Sequence, residues 1–193
     1  MIIIDVEASG VSPEKDSLVS VAAIDFTNPE NRFYEECRIW DGAHIEEDAM
    51  AVNGFSREEI TDPNKKTDRE VVIDFLAWLE KIEEKTIAGH NPSFDRDFLQ
   101  ATAFRNHLNW PLAHRTIDLH SICYFDMIKK GIEVPIIHGH SALNSDAVFK
   151  YVGLPEEPKP HNALTGALME AEAFGRLFYG KPFMEDFAKY PLL

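Results

Sequence analysis

Two carboxylates interrupt an apolar run at the start of the chain: in MIIIDVEASG, Asp5 and Glu7 alternate with Ile4 and Val6 behind Ile2 and Ile3. The run predicts a strand covered on both faces, where a carboxylate is costly unless something compensates it. Strand side chains two apart share a face, with Cα atoms roughly 6.5 Å apart, a spacing suited to half of a divalent-metal site. A less favoured alternative is that the strand ends early and both groups are solvated, with Gly10 closing the turn. Two carboxylates alone are a weak motif.

Two further residues could join them. In GHNPSFDRDFL, Asp95 falls near the first turn of a helix that follows a short strand. An aspartate there also complements the helix dipole by a few tenths to ~1 kcal/mol, a job Asp97 would do equally well. Phe94 and Phe98 fix which way this helix faces, so Asp95 projects beside the sheet edge. His161 follows Pro160, at the end of a loop or the entry to the last helix, and a histidine there titrates near neutrality as a general base requires. A plain surface histidine fits the same position. His138 and His140 in IIHGH could form a zinc site with His161, but no fourth ligand has helical or hairpin spacing to complete a tetrahedral set.

The elements that must position these groups follow from periodicity. Segments 17–26 and 33–40 read as two more strands, which with the first make an antiparallel meander. Thr67 and Glu70 form a capping box for a helix near 68–84 with Val71, Val72, Phe75, Leu76, Leu79 and Ile82 on its apolar stripe. TIAGH at 86–90 is a short buried strand, and Asn91 and Pro92 are the N-cap and first residue of the next helix. RTIDL at 115–119 is a fifth strand, followed by a helix ended by Gly131. A smaller helix over 141–151, an extended proline-rich loop at 156–160 and a long last helix stopped by Gly180 complete the chain. This order gives an α/β fold: a mixed five-stranded sheet flanked by helices. No repeat or linker divides residues 1–193, so one domain is expected.

Composition narrows the function classes. The net charge of −14 argues against a tight, sequence-blind grip on duplex DNA, whereas a small anionic substrate, or a single-strand end held by metal ions, remains compatible. Cys37 and Cys123 fall in different elements without metal-like spacing, so both are expected in the core rather than in a disulfide. No run approaches the roughly 18 apolar residues of a membrane span, and the N-terminus lacks the basic flank of a signal peptide, so a cytoplasmic protein without membrane contact is expected.

Taken together, DVE at 5–7, HNPSFDRDFL at 90–99 and HNALTGALMEAEAF at 161–174 resemble the three ordered motifs of the DEDD superfamily of 3′–5′ exonucleases, in the branch with a histidine base. The resemblance runs to about Phe178. It implies a ribonuclease H-like fold and hydrolysis of phosphodiester bonds at the 3′ end of single-stranded DNA or RNA, releasing nucleoside 5′-monophosphates. It further implies two Mg²⁺ (or Mn²⁺) ions held by Asp5, Glu7 and Asp95, and His161 as activator of the attacking water. Two cations about 3.5–4 Å apart stabilise the entering and departing oxygens of an in-line displacement, and would supply the positive charge that a −14 chain lacks. The resemblance also places Ala8 and Ser9 (where a pair of threonines is commoner), Asn91, Phe94 and Phe55 of VNGF on the substrate side. Phe55 is as readily core, and Asn91 as readily only a helix cap.

One position departs from the pattern. The third motif has an aspartate five residues after its histidine, where this chain has Gly166. The missing carboxylate would share a metal with Asp5 and Glu7, and its loss implies an inactive or weakened enzyme. Three explanations are open: an introduced inactivating change, natural loss that leaves a nucleic-acid-binding or scaffold domain, or rescue by Glu170. The first ranks ahead because aspartate and glycine codons differ by one base and the other motif residues are intact. The last ranks lowest because Glu170 is displaced by one helical turn, about 6 Å.

Overall fold

The computed structural model describes residues 1–192. In chain order it contains β1 (Ile2–Ala8), β2 (Leu18–Asp25), β3 (Arg32–Glu36), α1 (Glu47–Asn53), α2 (Arg57–Ile60), α3 (Asp68–Leu79), β4 (Ile87–Gly89), α4 (Pro92–Arg105), β5 (Thr116–Asp118), α5 (Leu119–Lys129), β6 (Ile136–Ile137), β7 (His140–Ser141), α6 (Ser145–Tyr151) and α7 (Ala163–Tyr179). β1 is the middle strand of a five-stranded sheet ordered β3-β2-β1-β4-β5. It pairs antiparallel with β2 and parallel with β4, so the expected meander followed by strand–helix units is what forms.

The alternation of β1 assigns its side chains to two cores. Ile2, Ile4, Val6 and Ala8 pack with Val71, Phe75, Phe98 and Leu99 of α3 and α4. Ile3 packs on the other side with Ala167, Ala171 and Phe174 of α7 and Leu119 and Cys123 of α5. Asp5 and Glu7 continue the Ile3 register, so they emerge toward α7 where that core ends. Cys37 and Cys123 are free and buried, as expected of core residues.

The structure departs from the sequence expectations at the edges. The third strand stops at Glu36; beyond it Arg38 N–H donates to Lys66 O and Ile39 N–H to Ile60 O, so the chain leaves the sheet to bind the end of α2 and the loop after it. The helix expected over 141–151 starts at Ser145, because Asn144 caps it and Ser141 belongs to the β6–β7 hairpin. α1, α2 and that hairpin were not anticipated. Among the described residues no helix is long and apolar enough to cross a membrane.

α7 is fastened at its far end by a buried pair. Arg176 Nε donates to Glu172 Oε1 at 2.7 Å, and its remaining N–H groups reach the carbonyls of Val152, Phe187, Tyr190 and Pro191. Glu172 also accepts from the Phe183 and Met184 N–H groups. This clamp ties α7 to the end of α6 and to the segment that follows α7.

Candidate active site

A cavity of about 310 Å³ opens between the end of β1 and the N-terminal ends of α4 and α7. It is lined by Asp5, Glu7, Asp95, His161 and Gly166, together with Asn91 and Phe94. Asp95 is placed by its helix start: the Asn91–Pro92 turn opens α4, and Asp95 in the first turn accepts the Val6 N–H at 2.9 Å, tying α4 to the strand between the two carboxylates. His161 enters from the proline-rich loop, with its N–H bonded to Val52 O at 3.0 Å and its Nδ1 3.6 Å from Glu157 Oε2.

Two carboxylates that sequence reasoning missed or set aside line the same cavity: Glu157 and Glu170. Glu157 belongs to the proline-rich loop, which has no periodicity to reveal its direction. Its spacing of four residues before His161 was the one available signal. The one-turn displacement of Glu170 does not keep it away. Side chains on a helix lean toward its N-terminus, and Gly89 leaves the room it needs: a Cβ at Gly89 would lie 3.1 Å from Glu170 Oε2.

Burial dominates the electrostatics. Asp5 is held well above the ordinary carboxylate range by burial first and by Glu170, Asp95, Glu7 and Glu157 after it. Glu7 is pushed up to about 8 by burial, then by Glu157 and Asp95. Asp95 rises to about 7 through burial, partly offset by the Val6 N–H. Glu157 and Glu170 are raised from the same first cause. The lining includes no lysine or arginine, so the cluster is arranged for an added cation, and carboxylate oxygens are what Mg²⁺ and Mn²⁺ prefer.

Other candidates lie elsewhere. Ser9 is fully buried, its hydroxyl donating to His44 O and accepting from Ser17 N–H. Ala8 faces the α3–α4 core, its carbonyl taken by Asn53 Nδ2. Phe55 packs beside Val19, Ile39, Met50 and Ile60, with Lys65 Nζ 5.1 Å from its ring centroid. None of the three lines the cavity. Asn91 does hold the N-cap position before Pro92, but with φ of 55° its side chain makes no capping bond, and it lines both the cavity and a neighbouring one of about 540 Å³. His138 and His140 sit on the exposed β6–β7 hairpin, away from the cavity that His161 lines, so the structure does not assemble the zinc trio. A different trio, Asp16, His44 and Glu46, has ligand atoms within 4.8 Å of one another, but Asp16 is already bonded to Ser12 N–H and His44.

With this geometry in place, a family model for RNase T-type exonucleases matches residues 2–174. The chain belongs to this family. It is a member of the DEDD superfamily of 3′–5′ exonucleases, with their ribonuclease H-like fold. It is 24% identical over 194 residues to ribonuclease T of Marinobacter nauticus, covering 93% of this chain and 80% of the relative. It is 29% identical over 123 residues to ribonuclease T of Escherichia coli, covering 54% of each chain. The chain thus spans about half the length of several curated relatives. In fold it resembles the nuclease domain of 3′hExo, a DEDDh family member bound to rAMP (TM-score 0.69, 15% identity, 100% and 94% covered). It also resembles E. coli exonuclease I in complex with a dA16 oligonucleotide (TM-score 0.71, 18% identity, 93% and 40% covered).

Proposed function

We propose that this exonuclease removes nucleotides from the 3′ end of single-stranded DNA or RNA as nucleoside 5′-monophosphates, using two divalent cations, Mg²⁺ or Mn²⁺. The observation that carries the reading is the convergence of Asp5, Glu7, Asp95 and His161, drawn from three separate parts of the chain, on one cavity. Oligonucleotide and rAMP complexes of proteins with this fold support a strand end as the occupant.

The cations would be held by the carboxylates and would supply charge neutralisation and Lewis acidity at the scissile phosphate. The chain's own groups do the rest. Asp95, fixed by the Val6 N–H through Oδ1, is held at the cavity beside Asp5 and Glu7. His161 keeps Nδ1 toward Glu157, which leaves Nε2 as the nitrogen that accepts a proton from the attacking water. Phe94, on the rim, offers a face for a terminal base, a contact that contributes ~1–3 kcal/mol in comparable sites.

The test is a nuclease assay on 5′-labelled DNA and RNA oligomers. The expected result is progressive shortening from the 3′ end with Mg²⁺, abolished by EDTA and by Asp5→Asn. Gly166 favours a second reading, a domain that binds strands without cutting them. That reading is sustained by Mg²⁺-indifferent binding with no shortened products.

A further inference from the structure

We propose that Glu157 and Glu170 take the place of the carboxylate that position 166 does not supply, so that this chain holds its divalent cations with Asp5, Glu7, Asp95 and these two glutamates. The inference rests on the nuclease reading of the cavity and concerns how its cations are held.

The space at position 166 is already taken. A Cβ built on Gly166 would lie 2.1 Å from Asp5 Oδ2 and 3.0 Å from its carboxyl carbon, so even alanine needs Asp5 to move. The absent side chain therefore leaves no hole: glycine lets α7 close onto the strand carboxylate. Glu157 Oε1 lies 3.5 Å from the same point, within the region where an aspartate's carboxylate would have to go. Glu170 lines the cavity from one turn along the same helix.

Both glutamates are more than nine-tenths buried, at 9% and 6% exposure, and each keeps one carboxylate oxygen, Glu157 Oε1 and Glu170 Oε2, without a hydrogen-bond partner. Buried polar atoms are nearly always partnered in folded proteins, and an unpartnered charge-bearing oxygen costs the most. Two such atoms at one cavity already lined by Asp5, Glu7 and Asp95, with no lysine or arginine to offset them, describe a ligand shell for cations. Glu157 has a second use: its other oxygen faces His161 Nδ1 at 3.6 Å, so it also positions the base.

The test is Mn²⁺ binding to the full chain by titration calorimetry, without nucleic acid, with melting temperature measured in parallel. Glu157→Gln and Glu170→Gln are expected each to weaken Mn²⁺ binding by about tenfold or more. Both should also raise the melting temperature of the cation-free protein, which shows that the variants fold. Exposed Glu156→Gln should bind like the parent chain, and Gly166→Asp should bind Mn²⁺ no better. If both glutamine variants bind Mn²⁺ as the parent does while Asp5→Asn does not, the two glutamates are not ligands and the nuclease reading survives. If Asp5→Asn also binds normally, the cavity is not the metal site and both proposals fall. Tighter binding by Gly166→Asp would overturn the replacement, because the site would then be short of its aspartate.

Discussion

α7 buries two glutamates two residues apart, and their surroundings could hardly differ more. Glu172 is fully enclosed and satisfied: Arg176 Nε at 2.7 Å, Met184 N–H at 2.8 Å and Phe183 N–H at 3.0 Å account for its carboxylate. Glu170 is enclosed to almost the same degree, yet one oxygen has no partner and the nearby charges are carboxylates. Burial alone therefore does not separate an architectural charge from a functional one. The accounting of lone pairs does: a carboxylate with every oxygen engaged inside the protein holds the fold, and one with an idle oxygen in a cavity costs stability unless a ligand takes it.

The sharpest way to break this comparison is to neutralise each glutamate in turn. Removing one partner of a buried ion pair leaves the other charge uncompensated, typically at 3–5 kcal/mol. Glu172→Gln should lose stability of that order in denaturant unfolding, since Arg176 also carries the carbonyls that anchor the C-terminal segment. Glu170→Gln should shift the cation-free protein in the opposite direction. Equal destabilisation by the two variants would remove the distinction.

Gly166 allows a smaller but cleaner perturbation at the first turn of the same helix. Alanine in a helix interior ordinarily gains roughly 0.5–1 kcal/mol over glycine. At this position the clash with Asp5 reverses the sign, because overpacking a filled site costs typically ~1–3 kcal/mol. Gly166→Ala is expected to lower the urea midpoint without changing the slope. A rise in the midpoint would show that Asp5 moves aside freely and that the close approach of α7 is not what the glycine serves.

Much of this site was legible because it rests on local rules. Alternation along β1 placed Asp5 and Glu7 on one face, and Asn91–Pro92 announced the start of the helix that carries Asp95. The outline of the sheet followed from the change of period along the chain. Glu170 was not legible, since its reach depends on a glycine on β4, 81 positions away, that only the folded sheet brings beside it. Glu157 sits in a loop whose direction is set by tertiary contacts. The segment carrying Phe55 misled for a related reason: α1 and α2 each bury few side chains, Met50 and Asn53 in one and Ile60 in the other, too sparse a pattern to show that they close a small core of their own.

pH sharpens the same contrast. Glu7 and Asp95 have folded-state values of about 8 and about 7, against ordinary values of 4.5 and 3.8. In that interval the folded protein binds more protons than the unfolded chain, so stability falls as pH rises. The cation-free protein should lose stability between about pH 4 and pH 8, with the loss complete above the folded values and absent below the unfolded ones. Saturating Mg²⁺ should flatten the curve, because bound cations replace the protons. A flat curve without cations would mean that the carboxylates are already compensated inside the protein, as Glu172 is.

The smallest effect is expected on the α4 side of the cavity, where Asn91 holds the N-cap position without a side-chain capping bond. Its φ of 55° suits glycine, so Asn91→Gly keeps the backbone while deleting a side chain that makes no capping bond. Stability should stay within about 0.5 kcal/mol of the parent, the range of substitutions that touch no internal partner. The lost contact should appear instead in the KM for oligonucleotides, raised roughly two- to tenfold, as one hydrogen bond of 0.5–1.5 kcal/mol would give, with kcat nearly unchanged. Asn91 would then be a counterpart of Glu170 in the same cavity, a polar group left free by the fold for something outside it. A variant that unfolds more readily but keeps its KM would instead put Asn91 with Glu172 among the residues that serve the fold.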